Sequence, residues 1–316
     1  MKKNKSEPVS LTIICPVYNE ELVVPLFFGR IQPVIDELTL RYKVDLLFLN
    51  NASTDGTYDV IESLRREYPF IYIITLSANV GYQRSLECGL HNARGDIVTF
   101  IDVDCEDPPE MILNFVDAYE QGYDIVYGER VDRDENSIIK RLRNLFYHIV
   151  HLVADEDFIL YMAEFCLFTS EVRDAMLEGH SSFPFIRSTI ARVGFRRIGI
   201  PYKRNKRIAG KTHYNLFAMT IFAVAGILAS STLALRLPIY IFPFWFASIA
   251  VIGALHIKTG NPWLLLSAAL LACAYLGLTS AFTALYVART YKNGLSRPNY
   301  VIHRRFTHLQ QDLDLQ

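Results

Sequence analysis

The 316-residue chain carries 32 Lys and Arg against 33 Asp and Glu, a formal net charge of −1. So balanced a charge provides no electrostatic footprint for nucleic acid, and no nucleic-acid partner is expected. Hydrophobic residues make up 51%, with the excess concentrated in the last hundred positions, and the five cysteines (Cys15, Cys88, Cys105, Cys166, Cys273) lack CxxC spacing, which excludes a disulfide framework and leaves reduced, mostly buried thiols.

The basic start MKKNKSEPVS leads into a strand-like run and has no signal-type apolar core, so no cleaved leader is expected. From Val9 to about Gly128, β-rich and helical segments alternate. LTIICPVYN (11–19) is a short strand, and the stretch from Glu20 to Tyr42 has helical apolar spacing despite Pro25 and Pro33. VDLLFLN (44–50), the turn NASTDGT, a helical YDVIESLRREY, IYIITL (71–76), a second helical stretch and DIVTFID (96–102) follow. Continuous apolar strands separated by helices predict a mostly parallel sheet covered on both faces. Ligands of such sheets sit beyond the carboxyl ends of the strands. The polar residues there are Asn19, Glu20, Asn50, Asn51, Asp55, Asp102 and Asp104.

GDIVTFIDVDCEDPPE poses the sharpest question, because an apolar run ends in mutually repelling carboxylates. Asp102 and Asp104 are two apart, so in an extended chain they share a face while Val103 points away. Paired hard oxygens suit Mg²⁺ or Mn²⁺, usually together with substrate phosphates, and Glu106 is a candidate third ligand. A solvated acidic turn is the plain alternative, disfavoured by the buried strand before it. In NASTDGT, Ser53, Thr54 or Asp55 can cap the next helix, and the Asn50 and Asn51 amides can read a base edge.

His148 and His151, three apart, have no further His or Cys nearby and read as structural; Arg141 and Arg143 read as a solvated face. Asp155, Asp157 and Glu164 are acidic candidates that composition cannot rank. YKRNKRIAGKTHY (202–214) is a basic loop that flanks a membrane segment, clamps a phosphate through Arg204 and Arg207, or does both.

IYIFPFWFASIAVIGALHI (239–257) and WLLLSAALLACAYLGLTSAFTALYVA (263–288) are each long enough to span a bilayer, with KTGNP as the turn of a hairpin. Basic residues flank the region on both sides, Lys203 to Lys211 before it and Arg289 to Arg305 after it. Both ends are therefore expected on the cytoplasmic side, with an even number of crossings. The apolar stretch 216–235 is then expected to lie at the membrane interface.

CPVYNE, NNASTDGT, NVGYQRSLECGL, GDIVTFIDVDCEDPPE, GYDIVYGER and RIAGKTHYN occur in the order seen in family 2 glycosyltransferases. Over nearly the whole chain the sequence resembles the polyprenyl-phosphate group, which includes dolichyl-phosphate mannose synthases and bacterial bactoprenol glucosyltransferases. The resemblance implies an α/β GT-A fold, Rossmann-like and mostly parallel, over residues 1–212. An interfacial helix (213–237), a transmembrane hairpin (238–290) and a cytoplasmic basic tail (291–316) would follow.

It implies a nucleotide-sugar donor held by Pro16, Tyr18, Asn19, Glu20, Asn51, Asp55, Gly81, Arg84, Asp102 and Val103, with Asn51 in place of a frequent aspartate. It implies Mg²⁺ or Mn²⁺ on Asp102, Asp104 and Glu106, the last where glutamine is usual. It implies a polyprenyl phosphate acceptor on Arg204, Arg207, Lys211 and His213. AEFCLFTS matches the segment bearing the family's presumed catalytic aspartate, which makes Glu164 the catalytic candidate beside Asp104, with Asp157 in reserve and Cys166 in an arginine's place. The implied activity is inverting hexosyl transfer, with UDP-glucose the leading donor and GDP-mannose or a UDP-N-acetylhexosamine the alternatives. The implied location is the cytoplasmic membrane, and the small anchor leaves room for a homo-oligomer. A processive polysaccharide synthase is disfavoured by the lack of QxxRW. A non-catalytic nucleotide-sugar-binding scaffold is the rival from another class, suggested by the departures at Asn51, Glu106, Glu164, Cys166 and His213.

Overall fold

The structure, a computed structural model, describes residues 8–130, 159, 162–179, 181–182, 184–209 and 232–309. Asp155, Asp157, His148, His151, Arg141, Arg143, Lys211, His213 and most of the expected interfacial segment lie outside them.

The first half alternates strand and helix: β1 (Ser10–Val17), α1 (Val24–Leu38), β2 (Lys43–Asn50), α2 (Thr57–Glu67), β3 (Ile71–Thr75), α3 (Tyr82–Asn92), β4 (Ile97–Phe100), α4 (Met111–Glu120) and β5 (Ile125–Arg130). Then come β6 (Met162–Thr169), α5 (Ser170–Leu177), α6 (Ile186–Arg192) and β7 (Arg197–Tyr202). The seven strands form one sheet of order β3-β2-β1-β4-β6-β5-β7. β1, β2, β3 and β4 are mutually parallel, whereas β6 runs antiparallel to both β4 and β5.

The two prolines expected inside the first helix have separate explanations. Pro25 lies in its first turn, where the missing N–H has no intrahelical partner to lose; Pro33 stands inside α1, which continues through it on a face of buried residues from Val24 to Leu38. Pro16 sits in a central strand without breaking it, because β1 pairs with β4 only from Leu11 to Ile14 and Pro16 lies past the last of those partners.

Two apolar clusters sandwich the sheet. One packs α1, α2 and α4 through Phe27, Ile31, Ile61 and Phe115, with Phe27 and Phe48 edge to face at 6.1 Å. The other packs α3, α5 and α6 through Leu86, Val172 and Ile190. α3 lies close against the sheet at Gly89, where a Cβ would meet Leu49 at 2.7 Å and Ile14 at 2.8 Å. That contact fixes how near the N-terminal turn of α3 stands to the strand ends.

Beyond the sheet run two long helices, α7 (Leu233–Thr259) and α8 (Pro262–Gly294). At 27 and 33 residues they extend roughly 40 and 50 Å at 1.5 Å per residue. Both exceed the spans expected from hydropathy, and residues 233–237, expected in an interfacial helix, belong to α7. The KTGNP turn forms as its chemistry dictates. Gly260 closes α7 with φ +67°, the Asn261 side chain accepts from the Trp263 N–H at 3.0 Å, and Pro262 opens α8. Trp245 stacks on Tyr275 at 4.5 Å and donates to the Leu271 carbonyl at 3.2 Å, which locks the pair. Apolar side chains point outward all round: Phe244 is 75% exposed and Leu270 62%. By length and composition, both helices are long and apolar enough to cross a membrane.

The basic tail turns back onto the globular part. Ser77 N–H donates to Val301 O, His303 N–H to Thr75 O and His308 N–H to Ile73 O, so residues 301–308 cover the outer edge of β3. Asn299 donates to both Glu87 oxygens and to the Ser181 carbonyl, and Phe306 packs edge to face on Tyr58 at 5.1 Å.

Candidate active site

The site forms where strand order reverses. The chain leaves β1 toward β2 on one side while β4 lies on the other, which opens a crevice at their carboxyl ends. β1 delivers Tyr18, Asn19 and Glu20 to that crevice, β2 delivers Asn50 and Asn51, and β4 delivers Asp102 to Asp104. Because β6 is antiparallel, its beginning rather than its end reaches the same rim, and it brings Glu164.

The donor-side loops are stitched together by their own polar groups. Asn19, at φ +55°, accepts from the Thr54 N–H at 2.8 Å and donates its own N–H to Ser53 Oγ at 3.0 Å. Asp55 accepts from the Thr57 N–H at 3.1 Å and from Glu21 N–H at 3.3 Å, so it braces the start of α2 and the β1 exit together. Asn50 accepts from Ser53 N–H, while Asn51 accepts from Val80 N–H and donates to Asn79, each at 3.0 or 3.1 Å. Both are buried, and they join the three loops that wall the crevice. Gly81 precedes α3 with φ +85°, and Arg84 donates to the Ser182 carbonyl at 2.9 Å.

Past β4, residues 101–109 alternate strictly between buried and half-buried. Val103 and Cys105 point into the core while Asp102, Asp104 and Glu106 share the open face. Burial, reinforced by the Asp104 and Asp107 carboxylates, pushes Asp102 up to about 7. Glu106 is raised as well, by burial first and then by Asp104. Negative charge is thus crowded at the rim beyond what the local hydrogen bonds offset.

The described part of the basic loop meets this face. Arg207 donates to Asp104 Oδ2 at 3.2 Å and, through Nη2, to Glu20; Arg204 pairs with Glu106 at 2.5 Å and reaches Asp107 at 3.7 Å. The backbones join too, Asn205 N–H to Glu106 O at 2.8 Å and Ile208 N–H to Asp104 O at 3.0 Å. Beneath lies a buried triad in which Tyr202 donates to Asp107 and Arg130 donates to both, at 3.0 Å to the tyrosine oxygen and 3.1 Å to the carboxylate. It ties the ends of β5 and β7 to the acidic loop.

Glu164 is held from two sides. Gln83 Nε2 donates to one oxygen at 2.6 Å and Arg187 Nη2 to the other at 3.2 Å. Gln83 also accepts from the Ile186 N–H at 3.0 Å, and its neighbour Tyr82 donates to Asp102 at 2.7 Å. Consecutive residues of α3 therefore orient both rim carboxylates. Cys166 is fully buried, with its pKa raised by burial; the cation beside Glu164 is Arg187. Sequence reading counted Asp107 among the carboxylates of the rim but missed Tyr82, Gln83 and Arg187. The first two stand directly after Gly81 in a motif already singled out, but Arg187 has no local signal because α6 reaches β6 only through the fold.

Among the described residues, no group of three His, Cys, Asp or Glu side chains converges on one point as a closed metal cage. Asp102 and Asp104, two carboxylates on one open face of the rim, do fit a hard divalent cation that completes its shell with phosphate oxygens. Glu106, engaged with Arg204, faces the basic loop.

The Glycosyl transferase family 2 model matches residues 12–175. An uncharacterized glycosyltransferase of Bacillus subtilis (strain 168), YkcC, is 29% identical over 316 residues, covering 95% of each chain. A prophage bactoprenol glucosyl transferase homolog of Escherichia coli (strain K12) is 28% identical over 94% of this chain and 99% of its own. Among solved structures, glucosyl-3-phosphoglycerate synthase from Mycobacterium tuberculosis in complex with Mn²⁺, UDP and glucosyl-3-phosphoglycerate superposes with a TM-score of 0.50 at 17% identity, covering 70% of this chain and 79% of that one. That likeness is one of fold.

Proposed function

The chain belongs to glycosyl transferase family 2, and on that premise we propose that it transfers a hexose, glucose from UDP-glucose first among donors, to a polyprenyl phosphate at a membrane surface. The observation that carries the reading is the pairing of Arg204 and Arg207 with the carboxylates at the ends of β1 and β4, in a chain whose next described elements are two bare apolar helices. A phosphate carried on a lipid and a diphosphate carried on a sugar are both anions. This arrangement offers forked guanidinium donors for one beside a carboxylate pair suited to a cation for the other. Relatives named for bactoprenol glucosyl transfer match nearly the whole length, hairpin included.

In the proposed reaction, a lipid phosphate oxygen forms a bond to the anomeric carbon. The bond from that carbon to the donor diphosphate breaks on the opposite face, and its electron pair leaves with the nucleoside diphosphate, so configuration inverts. A phosphate monoester has a second pKa near about 6, so the nucleophile is largely ionised at neutral pH without a strong base. Glu164, with one oxygen held by Gln83 and the other by Arg187, acts by orienting the sugar and the incoming phosphate rather than by taking a proton. Asp102 and Asp104 hold Mg²⁺ or Mn²⁺, which when bound offsets charge on the leaving diphosphate. Asn51 and its hydrogen-bonded loops shape the nucleotide pocket. α7 and α8 cross the membrane as a hairpin, with both ends and the catalytic part on the cytoplasmic side, close to the lipid phosphate and away from bulk water that would hydrolyse the donor.

Product stereochemistry tests the reading. Incubation with UDP-glucose and a short polyprenyl phosphate should yield a glucosyl phosphate whose anomeric proton coupling in NMR reports the β configuration. An α-linked product, or glucose released without any lipid adduct, contradicts it.

A further inference from the structure

Each of the three guanidinium nitrogens of Arg207 is engaged within the protein. Its Nε donates to the Ala209 carbonyl at 2.8 Å, Nη1 to Asp104 Oδ2 at 3.2 Å and Nη2 to Glu20. Glu20 is 7% exposed and also lies at the rim. Arg204 differs, since its partners Glu106 and Asp107 are not shared with Arg207. The functional reading gives Arg207 and Asp104 further tasks, the one to hold an acceptor phosphate and the other to hold a cation. Asp104 Oδ1 already accepts from the Glu106 N–H at 3.0 Å, so a cation at this carboxylate meets Arg207 at Oδ2. Two positive groups therefore contend for one carboxylate, while the backbone bonds from Asn205 and Ile208 keep the loop itself in place.

From this we propose that Arg207 couples the two substrate subsites: a divalent cation arriving with the donor diphosphate at Asp104 displaces the guanidinium, which then turns to the acceptor phosphate. The inference rests on the transferase reading above and adds to it the side chain through which the two subsites communicate. The release is local, a side-chain rotation about a fixed loop. Its driving force is that Asp104 gains the cation and Arg207 the lipid phosphate, which together outweigh the contact that the guanidinium gives up at Glu20. By linkage the effect is reciprocal: the donor-side cation strengthens acceptor binding by the factor with which the acceptor phosphate strengthens cation binding. Until the donor and its cation arrive, the guanidinium shields Asp104.

The test uses the full chain in detergent and reads binding rather than turnover. Mn²⁺ affinity is measured by electron paramagnetic resonance. Dodecyl phosphate affinity is measured by calorimetry, with and without Mn²⁺ and UDP. Arg207→Gln should bind Mn²⁺ at least about fivefold more tightly than the wild type, the lower end of ordinary site-to-site coupling. Arg204→Gln should leave Mn²⁺ affinity within about twofold, far less than such coupling. In the wild type, Mn²⁺ and UDP together should tighten dodecyl phosphate binding by about fivefold or more, a gain that Arg207→Gln abolishes. Should Arg207→Gln unfold because the buried Glu20 loses a charge partner, the double variant with Glu20→Gln removes both charges and should show the same tighter Mn²⁺ binding. Mn²⁺ affinity unchanged in these variants, or dodecyl phosphate affinity indifferent to Mn²⁺ and UDP, overturns the coupling and leaves the transferase reading standing. Failure of the wild type to bind Mn²⁺ even with UDP overturns the cation site on which both rest.

Discussion

At the scale of single residues, the rim is a set of charges each held by a particular neighbour. Glu164 is the clearest instance, its two oxygens divided between Gln83 and Arg187. Arg187→Gln removes a charge-assisted hydrogen bond and leaves a half-buried carboxylate with one donor, a loss of about 1–3 kcal/mol. The urea midpoint of the variant should fall accordingly, and sugar transfer should slow in kcat more than in KM if Glu164 orients the reacting groups. Equal activity with equal stability would remove Arg187 from the account. Glu62 carries a pH signature instead. The Arg65 guanidinium, against the opposing effect of burial and with help from Arg66, holds it down from 4.5 to about 2. A depressed carboxylate stabilises the fold above its unfolded pKa, and that contribution is lost as pH falls through the folded one. The Tm advantage of the wild type over Glu62→Gln should therefore be full above about pH 5 and vanish toward pH 2.

At the scale of elements, α3 and the returning tail decide how well the rim is built. α3 presents Tyr82 to Asp102 and Gln83 to Glu164, and it stands where it does because Gly89 lets it press on Ile14 and Leu49. Gly89→Ala puts a methyl into that contact and should cost about 1–3 kcal/mol by overpacking. It should also raise the donor KM, because the whole turn moves away from the crevice; thermal melts and donor titration check both. The tail is fastened by Asn299, whose three acceptors lie on α3 and on the segment before α6. Asn299→Ala should lower stability by about 1–2 kcal/mol and loosen the cover on the β3 edge, seen as faster amide exchange at Ile73 and Thr75. Elements built on local periodicity were legible in the sequence: β1 to β4, their helices, and the hairpin turn, whose Gly-Asn-Pro order is its own cap chemistry. Elements placed by distant partners were not. The antiparallel pairing of β6 with β4, which puts the start of the strand at the rim, and the tail's pairing with β3 depend on chain segments more than sixty residues away. The dense charge of the tail reads only as a basic end.

At the scale of the molecule, a covered sheet with an acidic rim is joined to a hairpin whose large apolar side chains are mostly exposed among the described residues. The acidic rim was legible because a strand that ends in Asp-x-Asp is costly without a cation, and the basic loop because its arginines cluster. That the two loops would hold each other, arginine to carboxylate, is a three-dimensional fact. Four of the five cysteines are buried and Cys273, on α8, is the exposed one. In intact membranes a charged maleimide should leave Cys273 unmodified until the membrane is dissolved and the chain denatured, because the bilayer covers what the protein does not. Rapid, stoichiometric labelling in vesicles would mean that the hairpin lies outside the lipid. The most direct test of the account as a whole is transfer of labelled sugar from a panel of UDP- and GDP-hexoses to a short polyprenyl phosphate, with and without Mg²⁺ or Mn²⁺. The predicted result is label in the lipid fraction from one donor, dependent on the cation and lost in Asp104→Ala. Donor binding with no label in any lipid under any cation, or transfer that survives Asp104→Ala, would contradict it.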